Sequence, residues 1–177
     1  MSKITKTIAA LGVVAGLGVA ALPLASYAAD TQNIAVEAEI GSTISVETPT
    51  AATVELAPTN GAAATTGSSS VTVKTNNLNG FKLNIKDGDS ETGLTGAGGT
   101  IAAGTTLDGS VSAWAYKGGD VTDYAAITTA NVALKTTDAP TAAAGETVEI
   151  TFAVAADANQ TSGTYTGGVT VTAVTNA

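Results

Sequence analysis

Alternation of apolar and polar residues is clearest near the C-terminal end of the chain. In the segment from Glu146 to Ala155 every second residue is apolar, and the same spacing recurs, with many threonines and valines, from Ser162 to Val174. A period of two residues places the apolar side chains on one face of a β-strand, and β-branched residues favour that conformation. The pattern predicts that these segments are the last two strands of an antiparallel sheet, whose apolar faces need an opposing layer.

Two further segments with this spacing lie in the middle of the chain. Val71–Thr75 and Phe81–Lys86 both alternate, and the five residues between them end in Asn79 and Gly80. Because Asn-Gly is a strong signal for a tight turn, the sequence predicts that the two segments pair as a β-hairpin.

Weaker patterns complete the predicted elements. Gln32–Ile40 and Thr43–Glu47 are short alternating runs, and a weak edge strand is predicted around Val54 and Leu56 between two prolines. Two stretches rich in glycine, alanine, serine and threonine are predicted as loops, Thr59–Ser70 and Asp87–Gly109.

Val111–Lys117 is a further predicted strand, and it carries the two largest side chains of the central region. Trp114 and Tyr116 share one face of this strand, and large aromatic side chains favour burial, so we expect that face to lie in the core. If the face were exposed instead, the two rings could stack on sugar rings and form an interaction site.

No segment after the first 28 residues shows sustained helical spacing. The sequence therefore predicts an all-β protein, an antiparallel β-sandwich of about eight to ten strands with Ig-like, Greek-key or jelly-roll connections. A barrel is the alternative. An outer-membrane barrel is not expected, because its strands need aromatic girdles and only 4% of the residues are aromatic.

The first 28 residues have the pattern of a secretory signal peptide. Lys3 and Lys6 precede an apolar run that Pro23 interrupts, and the small residues Ser26 and Ala28 predict cleavage after Ala28. An uncleaved membrane anchor is the alternative. Cleavage would leave residues 29–177 as one domain, secreted to the outside or the surface of a bacterium and not inserted in a membrane.

Composition narrows the possible functions. The chain has no cysteine and no histidine, so it lacks disulfides, the usual zinc ligands and the commonest general base. Residues 29–177 keep five lysines and all fifteen acidic residues, a side-chain charge of −10. Such a surface repels nucleic acid phosphates, so no nucleic acid partner is expected.

Carboxylates at alternate positions of a glycine-containing loop form the one candidate metal site. Asp87, Asp89 and Glu91 could supply hard oxygen ligands to calcium, although the loop does not have the spacing of an EF-hand. A solvated turn is the simpler interpretation. No cofactor is expected, and calcium is the single possibility.

Catalytic arrangements have little basis in the sequence. The acidic pairs Asp120 with Asp123 and Glu146 with Glu149 could in principle act on a glycosidic bond, but carboxylates at strand ends are common for solubility alone. Without histidine a Ser-His-Asp hydrolase is excluded. We therefore expect the protein not to be an enzyme.

Two segments resemble the C-terminal domain of the WxL cell-wall-binding surface proteins of bacteria. They are Val71–Val73 leading to Gly80–Leu83, and Ser162–Thr166 leading to Val169–Thr172. Phe81 stands in the first segment and valines in the second where that family has Trp-x-Leu, so both defining motifs are absent. The resemblance implies a β-sandwich that associates non-covalently with the cell wall.

The sequence thus predicts a secreted, non-enzymatic cell-surface protein with a structural or adhesive role, bound to a cell-wall polymer, to other surface proteins or to itself. A first alternative is a subunit of a pilus or matrix fibre, in which the segment Gln32–Ile40, with Ile34 and Val36 on its apolar face, completes a neighbour's sheet. A second alternative is a calcium- or carbohydrate-binding module.

Overall fold

The computed structural model describes residues 37–47, 49, 53–89 and 91–177. The chain divides into two compact units, Met1–Ala38 and Glu39–Ala177, and every described strand lies in the second. The predicted cleavage site after Ala28 and the strand-exchange residues Ile34 and Val36 lie outside the described residues. Of the predicted strand Gln32–Ile40, residues 37–40 are described; they are exposed and form no strand.

The all-β prediction is confirmed for the described part of the chain, which contains no helix. Its eleven strands are β1 (Ile44–Val46), β2 (Thr65–Thr75), β3 (Phe81–Asp87), β4 (Leu94–Gly96), β5 (Gly99–Ala103), β6 (Ala113–Gly118), β7 (Val121–Ala125), β8 (Val132–Thr136), β9 (Glu146–Ala155), β10 (Tyr165–Thr166) and β11 (Val169–Thr175).

The strands form two sheets. The larger has the order β1-β2-β9-β6-β5-β4-β10, with β7 also paired to β6, and it curls into a half-barrel. The smaller has the order β11-β3-β8. All pairs are antiparallel except β5 with β6, which are parallel and joined by residues 104–112.

The core lies between the inner faces of the two sheets. On β2, β6 and β9 every second side chain points toward the smaller sheet. On β3 and β8 every second side chain points toward the larger sheet, so the two sets meet between the sheets. The buried residues of this core include Val71, Val73, Phe81, Leu83, Ile85, Trp114, Tyr116, Leu134, Val148 and Ile150. Burying each large apolar side chain contributes roughly 1.5–3 kcal/mol, which is how a chain without disulfides holds together.

The predicted hairpin of Val71–Thr75 with Phe81–Lys86 is wrong. The turn itself exists, because Gly80 has a φ of 74° and its N–H donates to the Asn77 carbonyl at 2.9 Å. It carries the chain from the larger sheet to the smaller, so β2 pairs with β1 and β9 while β3 pairs with β11 and β8. The apolar faces of β2 and β3 therefore meet across the core and not side by side.

The last two predicted strands also separate. β9 has the predicted bounds and lies in the middle of the larger sheet, between β2 and β6. The segment Ser162–Val174 contains two strands, β10 at the edge of the larger sheet and β11 at the edge of the smaller, with Gly167 and Gly168 between them. The two glycines mark the place where the chain changes sheets.

Two segments predicted as loops are partly strands, and one predicted strand is absent. β2 begins at Thr65, inside the predicted loop, and pairs with β9 from there onward. β4 and β5 form a hairpin within the predicted loop Asp87–Gly109. Both runs are rich in small residues and have no apolar alternation, so hydrogen bonding to neighbours and not side-chain burial defines them. Residues 53–58, predicted as a weak strand, are not a strand in the structure.

Candidate functional site

A groove of about 1050 Å³ opens between the two sheets. Its floor is the inner face of the larger sheet, where Val71, Ile150, Phe152 and Val154 line it. These residues alternate on β2 and β9 and lie on the face that packs against the smaller sheet elsewhere. Val71, Ile150 and Val154 are 2%, 3% and 6% exposed, and Phe152 is half-buried, so Phe152 is the accessible part of this floor.

Two extended segments form the walls of the groove. Residues 53–58 form one wall, and residues 160–169, which include β10 and the start of β11, form the other. The first wall is held close to the floor at Gly67, because a β-carbon there would lie 2.8 Å from the Val54 side chain and 2.9 Å from that of Leu56. A glycine on β2 therefore allows this segment to pack directly on the sheet.

Hydrogen bonds between the two walls close one end of the groove. Asn60 Nδ2 donates to the Gln160 carbonyl at 2.9 Å, and Gln160 Nε2 donates to Tyr165 Oη at 2.6 Å. The Tyr165 hydroxyl in turn donates to the Thr161 carbonyl at 2.6 Å. This network fixes the loop before β10 and with it the second wall.

β11 has one side without a strand partner among the described residues. It pairs with β3 along its whole length, from Val169 opposite Asp87 to Thr175 opposite Phe81. β1 comes near β11 but is not paired with it. In an antiparallel edge strand every second residue points its backbone N–H and C=O away from the neighbour, so β11 presents unpaired backbone groups along the groove.

The lining of the groove carries almost no charge. Among the residues that line it, Glu55 alone has an ionisable acidic or basic side chain. Most of the others are apolar or contribute small side chains such as those of Gly167 and Gly168. An apolar floor, small residues and open backbone groups suit the binding of an extended chain better than acid–base chemistry.

The structure does not bring the three predicted calcium ligands together. Asp87 is the last inward position of β3 and is 5% exposed, and neither of its carboxylate oxygens has a hydrogen-bond partner. The chain bends directly after it, so Asp89 lies at the surface, where it accepts from the backbone N–H groups of Glu91 and Gly168, both at 3.2 Å. Within the described ranges no three potential metal-ligating side chains converge.

The two aromatic side chains considered for sugar stacking are buried. Trp114 is 4% exposed and donates its Nε1–H to the Thr92 carbonyl at 2.8 Å, and Tyr116 is 0% exposed. Stacking requires an accessible ring face, so surface stacking by this pair is excluded. Only an edge of Trp114 reaches the floor of the groove.

The acidic residues of the two candidate catalytic pairs either point to opposite faces of a sheet or form hydrogen bonds within the fold. Glu146 and Glu149 are three positions apart on β9, so they project from opposite faces of the sheet. Asp120 accepts from Lys135 Nζ at 2.9 Å and from the Thr136 N–H at 2.9 Å, and these bonds hold its pKa below the usual value. The two glutamates therefore share no space in which a substrate could lie between their carboxylates.

The sequence pattern does not predict the groove, because the parts of the groove are distant along the chain. The alternation predicts one continuous strand through Tyr165, the paired glycines Gly167 and Gly168, and the valines at 169 and 171. The glycine pair was the available signal, since adjacent glycines inside a predicted strand indicate a break or a close backbone approach.

Two further findings bear on identity. Over the part of the chain that the structure describes, no helix has the length and apolarity needed to cross a bilayer. Comparison of the chain with protein-family models, with curated proteins and with solved structures finds no match.

Proposed function

We propose that this is a secreted, non-enzymatic protein of the bacterial cell surface, with a structural or adhesive role, and that the groove is its site of non-covalent association. The observation that carries the proposal is the groove itself: an apolar floor, nearly uncharged walls and an unpaired strand edge. These features match what an extended polymer or peptide needs for binding.

Chemistry and composition support a binding role over a catalytic one. The chain contains no histidine or cysteine, and the groove is lined by one carboxylate, that of Glu55. Most acid–base and nucleophilic mechanisms need at least two such groups in contact with the substrate.

Support for export and surface location comes from the sequence. The lysines and apolar run of the first 28 residues have the pattern of a signal peptide. The resemblance of Val71–Val73 and Gly80–Leu83 to WxL surface proteins supports a cell-wall polymer as partner.

We also infer that the two sheets pack as a β-sandwich with Greek-key or jelly-roll connections. The buried faces of β2, β6 and β9 oppose those of β3 and β8, as in a sandwich. The chain passes repeatedly between sheets, from β2 to β3, from β7 to β8 and from β10 to β11. Such crossings are typical of Greek-key topologies.

Co-sedimentation with cell walls tests the proposed function. Residues 29–177 should sediment with purified bacterial cell walls, and Val171→Glu should lose that binding because it places a charge against the apolar groove. Thr170→Glu is the matched control, since Thr170 is exposed on the opposite face of the same strand and should leave binding unchanged. Circular dichroism checks that both variants fold. Absence of wall binding by the unmodified chain would count against a wall partner.

A fibre subunit is the second candidate function, favoured by one observation. The unpaired side of β11 borders the groove, and this is the geometry at which a strand from another chain can join a sheet. Concentrated samples that contain only monomers would contradict it.

A further inference from the structure

We infer that the groove is filled by an N-terminal segment, residues 32–40, of a second copy of this chain. The inference rests on the proposed role of the groove as the site of association and names its occupant. It follows from the groove, from the sequence of the segment and from the end of β2 at which residues 39–43 enter β1.

The groove has the properties of a missing strand position. β11 offers unpaired backbone groups along one side, and the half-buried Phe152 offers an apolar surface beneath. An added strand would satisfy the backbone groups by pairing with β11 and would cover the floor with every second side chain.

The segment Gln32–Ile40 has the sequence that such a strand requires. Ile34, Val36, Ala38 and Ile40 alternate with polar or small residues over nine positions. In an extended chain these nine residues span roughly 30 Å, and the seven residues of β11 span roughly 23 Å, so the segment is long enough to follow the whole edge. Ile40 is 84% exposed, the most exposed large apolar side chain of the described residues.

Gly41 and Thr43 fix the end of β2 from which the chain enters β1. Asn76, just beyond the end of β2, accepts from the Thr43 N–H at 2.6 Å and donates to the Gly41 carbonyl at 3.0 Å. β1 then runs from this end toward Val73, in the direction of the groove floor at Val71. Residues 39–43 contain no turn or bend, and they enter β1 from the end of β2 that lies farther from the groove floor.

A segment that precedes this end of β2 can bind in the groove of a neighbouring copy. Such a contact joins two different surfaces, the N-terminal segment of one copy and the groove of the next. Repeated contacts of this kind generate an open chain of subunits unless the rotation closes a ring. We therefore expect linear oligomers of residues 29–177 at high concentration.

Site-directed disulfide cross-linking tests the occupant, and the chain is suited to it because it contains no cysteine. One preparation carries Val36→Cys, a second carries Val171→Cys, and the two are mixed under mild oxidation. We expect a mixed dimer that is lost on reduction. The matched control replaces the second preparation by Thr170→Cys, which lies on the outer face of β11 and should cross-link at least about tenfold less.

Each other outcome overturns the inference. No mixed dimer, with residues 29–177 monomeric by light scattering, would show that the segment does not dock. If the Val171→Cys and Thr170→Cys preparations cross-linked equally to the Val36→Cys preparation, the disulfides would arise from random collisions and not from docking in the groove. A double variant, Val36→Cys with Val171→Cys, that closes within one chain in dilute solution would show that each copy fills its own groove.

A second substitution separates this inference from the proposed function. Ile34→Lys should weaken self-association at least about tenfold, because a charge would enter the apolar groove. Wall co-sedimentation of the same variant reports the proposed function independently. Wall binding without self-association by the unmodified chain would overturn the inference alone, and cross-linking without wall binding would overturn the wall partner alone.

Discussion

Two inward residues carry polar atoms that have no partner in the described structure. They are the Tyr116 hydroxyl and both carboxylate oxygens of Asp87. Burial raises the pKa of Tyr116 above its usual value, so this hydroxyl stays neutral. Buried polar groups without hydrogen bonds destabilise a fold, because they lose their contacts with water and gain nothing in return.

Removal of the Tyr116 hydroxyl is therefore expected to leave stability unchanged or to raise it. We expect Tyr116→Phe to change the free energy of unfolding by between zero and about +1 kcal/mol, measured by urea denaturation. Tyr165→Phe is the comparison, because that hydroxyl bonds to Gln160 and Thr161, and its loss should cost about 1 kcal/mol. A cost above about 1 kcal/mol for Tyr116→Phe would reveal a partner for its hydroxyl.

At the scale of elements, the turn between β2 and β3 decides how the chain changes sheets. Gly80 has a φ of 74°, and a β-carbon there would lie 2.5 Å from the Thr137 carbonyl oxygen. Next to it, the Phe81 N–H donates to Thr137 Oγ1 at 3.0 Å. The turn is thus packed against the chain that leaves β8, and glycine is needed for both the conformation and the space.

Substitution of this buried glycine should be strongly destabilising. We expect Gly80→Ala to lower the free energy of unfolding by roughly 2–4 kcal/mol, because positive φ and the clash with Thr137 add. Gly41→Ala is the matched control, since no atom lies within 4 Å of a β-carbon at Gly41. Chemical denaturation of both variants measures the difference, and equal stabilities would contradict the packing of the turn.

The hydrogen bonds of the Asp120 carboxylate form a second link between the two sheets, and their contribution to stability depends on pH. Asp120 lies in the turn between β6 and β7. Its carboxylate accepts hydrogen bonds from Lys135 Nζ and from the backbone N–H of Thr136, the last residue of β8. Since these bonds lower the pKa of Asp120 in the folded state, their contribution is present above the unfolded-state pKa and is lost as the pH falls through the folded-state value.

Asp120→Asn should therefore cost stability at neutral pH and cost less in acid. The carboxylate is half exposed, so solvent screening keeps the cost at about 1 kcal/mol or less near pH 7. The difference from the unmodified chain should shrink as the pH is lowered from about 5 towards about 2. Asp123→Asn, in the exposed middle of β7, is the control. A difference that grows in acid would contradict this assignment.

Charge acts at the scale of the whole molecule. Residues 29–177 carry a side-chain charge of −10, and the proposed docking segment adds Glu37 and Glu39 to a neighbour that is equally acidic. Two such copies repel at long range, and added salt screens the repulsion because the Debye length falls to about 10 Å at 0.1 M.

Self-association should therefore strengthen with salt. We expect the dissociation constant to fall several-fold between about 0.02 and about 0.5 M sodium chloride, measured by analytical ultracentrifugation. A double variant, Glu37→Gln with Glu39→Gln, should show a smaller salt effect. Weaker association at high salt would instead indicate attraction between charges as the driving force.

Sequence pattern was informative wherever burial alternates along one strand. The bounds of β9 and the inward positions of β3 follow from the period of two, because side-chain direction in a strand is a local property. The pattern was uninformative for β4 and β5, whose small residues pair through the backbone and bury little. It was misleading for β2 with β3, where a correct turn signal did not specify the sheet in which the chain continues.

The sequence by itself determined the all-β class, the acidic surface and the absence of histidine and cysteine chemistry, since these depend on composition and on local period. Only the tertiary structure decided the partners of each strand, the parallel pairing of β5 with β6 and the groove beside β11. Strand pairing joins segments that are far apart along the chain, and a groove forms where the edge of a sheet has no neighbouring strand. Neither feature can therefore be recognised from the pattern of residues within a single segment.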